Sequence, residues 1–93
     1  MSGQIMSAEG KFYIGDSEDQ PLAYILYQIN DDGQMVIEET FVAESGRGQG
    51  LGAKLVERAA VKARSEKRKI IAHCSYARKI LGESDQYKDL LLE

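Results

Sequence analysis

The sequence predicts an α+β domain in which a mostly antiparallel five-stranded sheet is crossed by one helix. Three observations carry this reading. Between residues 11 and 42 apolar and polar residues alternate with a period of two, interrupted by polar turns, as in meandering strands. At residue 50 the period changes to 3.6, that of an amphipathic helix. A short apolar run, residues 70–74, follows, which makes the helix a crossover between two parallel strands. No repeat, linker or low-complexity stretch divides the 93 residues, so residues 1–93 are read as a single domain.

Lys11–Ile14 is a first strand, ended by Gly15 and the polar stretch Asp16–Gln20. Leu22–Ile29 is a second, with Ala23, Ile25, Tyr27 and Ile29 on one face and Leu22, Tyr24 and Leu26 on the other. Asn30–Gly33 closes a hairpin and Met35–Val42 returns antiparallel. Strict alternation puts Met35, Ile37, Glu39 and Phe41 on one face of that strand, and Val36, Glu38, Thr40 and Val42 on the other. The helix spans about residues 50–66, with Gly52, Leu55, Val56, Ala59 and Ala63 on its apolar side. Lys54, Glu57, Arg58 and Arg64 take the opposite side. Ile70–Cys74 is the next strand. A helix from Ser75 or Tyr76 to Leu81 follows, ended by Gly82, and Ser84 caps a last short helix through Leu91. Four of the five strands have a place in this reading.

Hydrophobic residues at 43% and charged residues at 29% suit a globular chain, and no apolar stretch approaches the length of a membrane span. A single cysteine excludes an internal disulfide framework and fits a reducing, cytoplasmic location. Met1–Gly10 has no basic start followed by an apolar run, so no secretory leader is expected. The net charge of −3 hides a strong asymmetry. Residues 1–46 hold one lysine against nine acids, and residues 47–79 hold ten basic residues against two acids. A basic block that starts at a Gly-rich turn suggests a polyanionic partner, although a solvated helix face would look the same.

That turn is Glu44-Ser-Gly-Arg-Gly-Gln-Gly-Leu-Gly52, with glycines at 46, 48, 50 and 52. It joins a strand to a helix N-terminus, where backbone N–H groups are free and the helix dipole is positive. Glycines leave no Cβ between those donors and a phosphate oxygen, so the turn reads as an anion site. A P-loop is excluded, because no glycine here is followed by Lys and a hydroxyl residue. Gly48-Gln-Gly-Leu-Gly-Ala53 fits the G-x-G-x-x-A dinucleotide pattern, but its context does not. A Rossmann unit opens with βαβ and ends its second strand in an acid, whereas this one ends in His73-Cys74.

Arg47-x-x-Gly50-x-Gly52 also matches the Q/R-x-x-G-x-G/A signature of the N-acetyltransferase superfamily. With the Leu-Val and Ala-Arg helix positions after the turn, Lys69-Ile-Ile-Ala before Cys74 and the Tyr87-x-Asp-Leu-Leu91 ending, nearly the whole chain resembles the minimal, single-domain members of that superfamily. These lack the N-terminal helices and have an acyl-CoA N-acyltransferase-like fold. The resemblance implies acetyl-CoA or coenzyme A as ligand, its diphosphate on the backbone of Arg47, Gly48, Gln49, Gly50, Leu51, Gly52 and Ala53. The pantetheine arm would then lie between the Met35–Val42 and Ile70–Cys74 strands. The chain departs from the family in one place: where a His-Thr pair is usual, it reads Glu39-Thr40.

Acetyl transfer needs a neutral attacking group, support for an oxyanion and a proton for the departing thiolate. Cys74, at a strand end before a helix N-terminus and near Arg78 and Lys79, suits a thiolate, or else a core cysteine. Glu39 is a candidate base, or a polar strand residue satisfied by a neighbour. Lys54 and Arg78 are candidates for a 3′-phosphate. Tyr76 could protonate a thiolate, His73 faces away from Cys74, Glu44 is a turn residue, and no cluster has metal-ligand spacing. The sequence thus reads as a monomeric acetyltransferase with an amine, thiol or protein acceptor and no nucleic-acid or membrane partner. The alternative is a non-catalytic CoA-binding or interaction module.

Overall fold

A computed structural model describes residues 4–92. Residues 1–3, which open the stretch read for a leader, and Glu93, at the end of the expected domain, lie outside the described residues. The strands are β1 (Ile5–Ala8), β2 (Lys11–Ile14), β3 (Ala23–Ile29), β4 (Met35–Val42) and β5 (Ile70–Ala72). They lie in the order β1-β2-β3-β4-β5, antiparallel throughout except for the parallel β4–β5 pair. Helix α1 (Leu51–Ser65) makes the crossover and α2 (Ser75–Gly82) follows β5. The fifth strand is β1, joined to β2 by the two-residue turn Glu9-Gly10.

One layer of helix covers one face of the sheet. Leu55, Val56, Ala59, Ala60 and Ala63 of α1 are fully buried against Phe12 and Ile14 of β2, Ile25 of β3 and Met35 and Ile37 of β4. Ala77 and Leu81 seat α2 in the same core. The small residues at 59, 60 and 63 let α1 lie close to the sheet, while Leu55 alone buries enough to contribute about 1.5–3 kcal/mol. One helix end and one strand end differ from expectation. Gly82 is the last residue of α2 rather than the stop beyond it, and β5 ends at Ala72, leaving Cys74 as the N-cap of α2. Ser84 does accept, through Oγ, the N–H of Tyr87 at 3.2 Å, but the final turn is a 3-10 helix over Lys88–Leu90.

The consequential departure lies inside β4. Ile29, Gln28 and Tyr27 pair with Met35, Val36 and Ile37, and then Leu26 pairs with Glu39, leaving Glu38 as an extra residue. A bulge of this kind shifts the alternation by one. Thr40 therefore lies opposite the buried Ile25, and Val42 opposite Ala23. The faces read from strict alternation are wrong beyond Glu38. Met35, Ile37, Thr40 and Val42 share the α1 face, and Glu39 and Phe41 point the other way. The Tyr24 hydroxyl donates to Glu39 Oε2 at 3.0 Å and Gln28 Nε2 donates to Glu38 Oε2 at 2.9 Å, so both carboxylates lie on the face away from α1.

Candidate active site

β4 and β5 pair only from Met35↔Ile70 to Ile37↔Ala72, and the His73 N–H closes the last bond to the Ile37 carbonyl at 2.9 Å. Beyond it β4 continues along β3 while the chain after Ala72 turns into α2. Side chains rather than backbone span the resulting gap, with Cys74 Sγ at 3.6 Å from Thr40 Oγ1. The bulge is what aims Thr40 at Cys74; without it Glu39 would occupy that face.

The Gly-rich turn borders the same gap. Gly46 ends a 3-10 turn over Glu44–Gly46, and Gly50 caps α1 with a left-handed φ of 72°. The first helical bond is from the Lys54 N–H to the Gly50 carbonyl at 3.1 Å. Among the described residues, the N–H groups of residues 48–53 donate to no protein acceptor. A Cβ placed on Gly48 or Gly50 would meet nothing within 4 Å, so the cradle opens outward. The turn, Thr40 and Val42 of β4, and Tyr76 of α2 line an open cavity of about 370 Å³.

A family model of GCN5-related N-acetyl-transferases matches residues 11–90. The chain belongs to the GCN5-related N-acetyltransferase family. Among solved structures, it is similar to the solution structure of a GCN5-like candidate N-acetyltransferase from Staphylococcus aureus. The two are 41% identical, with a TM-score of 0.82 over 98% of this chain and 89% of that one. A Trypanosoma brucei acetyltransferase, at 22% identity and a TM-score of 0.54, shares the fold over 78% of this chain and 58% of its own. So does a ribosomal-protein-alanine N-acetyltransferase from Brucella melitensis, at 14% identity and 0.54, over 92% and 66%. No curated protein matches the sequence.

Within this N-acetyltransferase fold, Arg47, Gly48, Gly50, Leu51 and Gly52 line the cavity, whereas Gln49 is exposed beside it and Ala53 is half-buried in the first turn of α1. Arg47 Nε donates to the Val42 carbonyl at 3.3 Å, tying the turn to the end of β4. Cys74 is half-buried. Burial by itself raises its thiol. The backbone N–H of Ala77, the Thr40 hydroxyl and the N–H groups of Tyr76 and Thr40 outweigh it and hold the thiol below its ordinary value. The α2 amides exert this pull without closing a capping hydrogen bond.

The structure does not bring Glu39 and Cys74 together on one face. Glu39 is exposed across the sheet from the cavity, bonded to Tyr24, whose hydroxyl is pushed up by burial and by this carboxylate. Arg78 Nη2 donates to the Ala72 carbonyl at 2.9 Å, at the end of β5. Lys54 is exposed on the first turn of α1, and His73 is exposed beyond the end of β5. Sequence reasoning gave Thr40 no role and considered Tyr76 only as a proton donor to a thiolate. The signal for Thr40 was present: Met-Val-Ile-Glu-Glu breaks a period of two with three apolar residues and two acids in succession. Nothing local in the sequence announces Tyr76, whose place depends on how α2 docks.

Proposed function

We propose that this chain binds acetyl-CoA at the Gly-rich turn and transfers its acetyl group to an amine or thiol acceptor. One observation carries the reading: the N–H groups of residues 48–53, free at a helix N-terminus, border a cavity whose lining includes Thr40, the residue that meets Cys74 Sγ at 3.6 Å where β4 and β5 part. The fit is to a diphosphate, because Gly48 and Gly50 take left-handed backbone conformations with no side chain to cover their neighbours' N–H groups and only open space in front of them. Gly48, Gly50, Leu51, Gly52 and Ala53 would hold it through their N–H groups, with Arg47 at the rim. Bound there, acetyl-CoA supplies an activated carbonyl and a thiol leaving group.

The chain's own groups serve the reaction from two sides. Thr40 N–H and the first-turn amides of α2 hold negative charge at the inner end of the gap, whether on a sulfur or on a carbonyl oxygen. Cys74, its thiol lowered, is the candidate nucleophile. Its sulfur would bond to the acetyl carbon as the CoA sulfur departs with the proton Cys74 gave up. Glu39, across the sheet at the lip of the gap, is the base that an amine arriving from that face would meet.

Titration with CoA, followed by amide NMR, should move residues 48–53. Gly50→Val should abolish the response, at a backbone cost of about 1–2 kcal/mol for a branched residue at positive φ. Acetyl-CoA alone should leave a hydroxylamine-sensitive acetyl mass on Cys74, absent in Cys74→Ala. A stronger response to NAD than to CoA would overturn the assignment. CoA binding with no CoA release to any acceptor would leave a binding module.

A further inference from the structure

The glycines of the turn are there for two different reasons. Gly48 and Gly50 have left-handed φ angles of 84° and 72°, and a Cβ on either would meet nothing within 4 Å, so the backbone conformation selects them. Gly52 lies in the first turn of α1 with no such φ, where alanine is the better helix former. Its space, however, is taken. A Cβ there would lie 2.9 Å from both Cε2 and Oη of Tyr76 and 3.1 Å from Cζ. The tip of the Tyr76 side chain lies close enough to the helix to exclude a single methyl group, while 42% of the residue stays exposed and it borders the cavity. Its hydroxyl has no hydrogen-bond partner among the described residues, so contact rather than a polar tether holds the ring. Tyr76 is two residues from Cys74, and Thr40 and Val42 line the same cavity.

We infer that residue 52 is glycine to make room for Tyr76 rather than for a phosphate, its N–H staying part of the cradle, and that the Tyr76 ring is the wall confining the arm of a CoA-type ligand between the N–H cradle and Cys74. This rests on the proposed CoA site and adds a specificity element to it. A ligand that carries a diphosphate and a long arm of amides and methylenes gains the aromatic surface. A bare nucleoside diphosphate, which ends at the cradle, gains nothing from it. β5 has ended at Ala72, so the ring supplies the side of the channel that the sheet no longer provides.

The experiment compares ADP with CoA as NMR probes of residues 48–53 in the full chain. In Gly52→Ala the methyl must displace the ring, which is the free end of a side chain, so α1 persists and the wall is lost. CoA should bind about tenfold more weakly, whereas ADP affinity should change less than about twofold. Tyr76→Ala should show the same split, Tyr76→Phe should bind both probes as wild type does, and Gly52→Ala/Tyr76→Ala should be no weaker for CoA than either single variant. Equal weakening of ADP and CoA by Gly52→Ala would return the glycine to the phosphate, and unchanged CoA affinity in Tyr76→Ala would remove the wall; either overturns the inference alone. A wild-type chain that binds neither probe overturns the proposed function itself and this inference with it.

Discussion

Met35–Ile37 and Glu39–Val42 are two stretches of one strand in opposite surroundings. The first pairs with β3 on one side and β5 on the other, and its three side chains are buried. The second pairs with β3 alone, and none of its residues is buried. Between them lies one extra residue, Glu38. The comparison teaches that the candidate site owes its place to an interruption in pairing: where β4 loses β5, backbone donors and a cavity open, and the bulge decides which side chains face them.

Breaking the closed half should have the largest effect. Ile37→Ala removes a fully buried side chain and should cost about 2–5 kcal/mol in denaturant unfolding, against less than about 1 kcal/mol for Thr40→Ala in the open half. Equal costs would mean that the open half is part of the core. A smaller effect should sharpen the role of the open half. Because the folded-state pKa of Cys74 lies below its unfolded value, the thiolate contributes stability that is complete above the unfolded value and is lost as pH falls through the folded one. The pH profile of iodoacetamide alkylation should show reactivity beginning below the range of a free thiol. Thr40→Val, which removes a donor to the thiolate, should move that onset to higher pH, and an unmoved onset would detach Thr40 from Cys74.

The smallest effect should separate the two faces of the open half. Glu39→Gln should change stability by less than about 1 kcal/mol, since the group is exposed. It should also bring the titration of Tyr24 down, because burial and the Glu39 carboxylate together raise it. The alkylation profile of Cys74 should stay where it was. A shift there would show that Glu39 acts through the gap on the cavity side.

Much of this was legible in the sequence because it rests on local rules. Alternation located β2, β3 and β4, the change of period located α1, and the apolar side of that helix holds the residues that are buried. The glycine turn fell where its spacing put it. β1 escaped because Ile5-Met6-Ser7-Ala8 is short and half-exposed, a strand only through its partner β2. Glu39 was set on the wrong face because alternation assumes an unbroken ladder, and whether a ladder is broken depends on both strands.

By itself, then, the sequence determined the meander, the crossover helix and an anion-binding turn at the head of that helix, all set by neighbours within a few residues. Only the tertiary structure decided that Thr40 rather than Glu39 faces Cys74, that β5 stops at Ala72, and that Tyr76 rests on Gly52. Each of these depends on two segments meeting that lie far apart in the chain. Contacts of that kind are settled by packing and register, for which a single strand or helix carries no local signal.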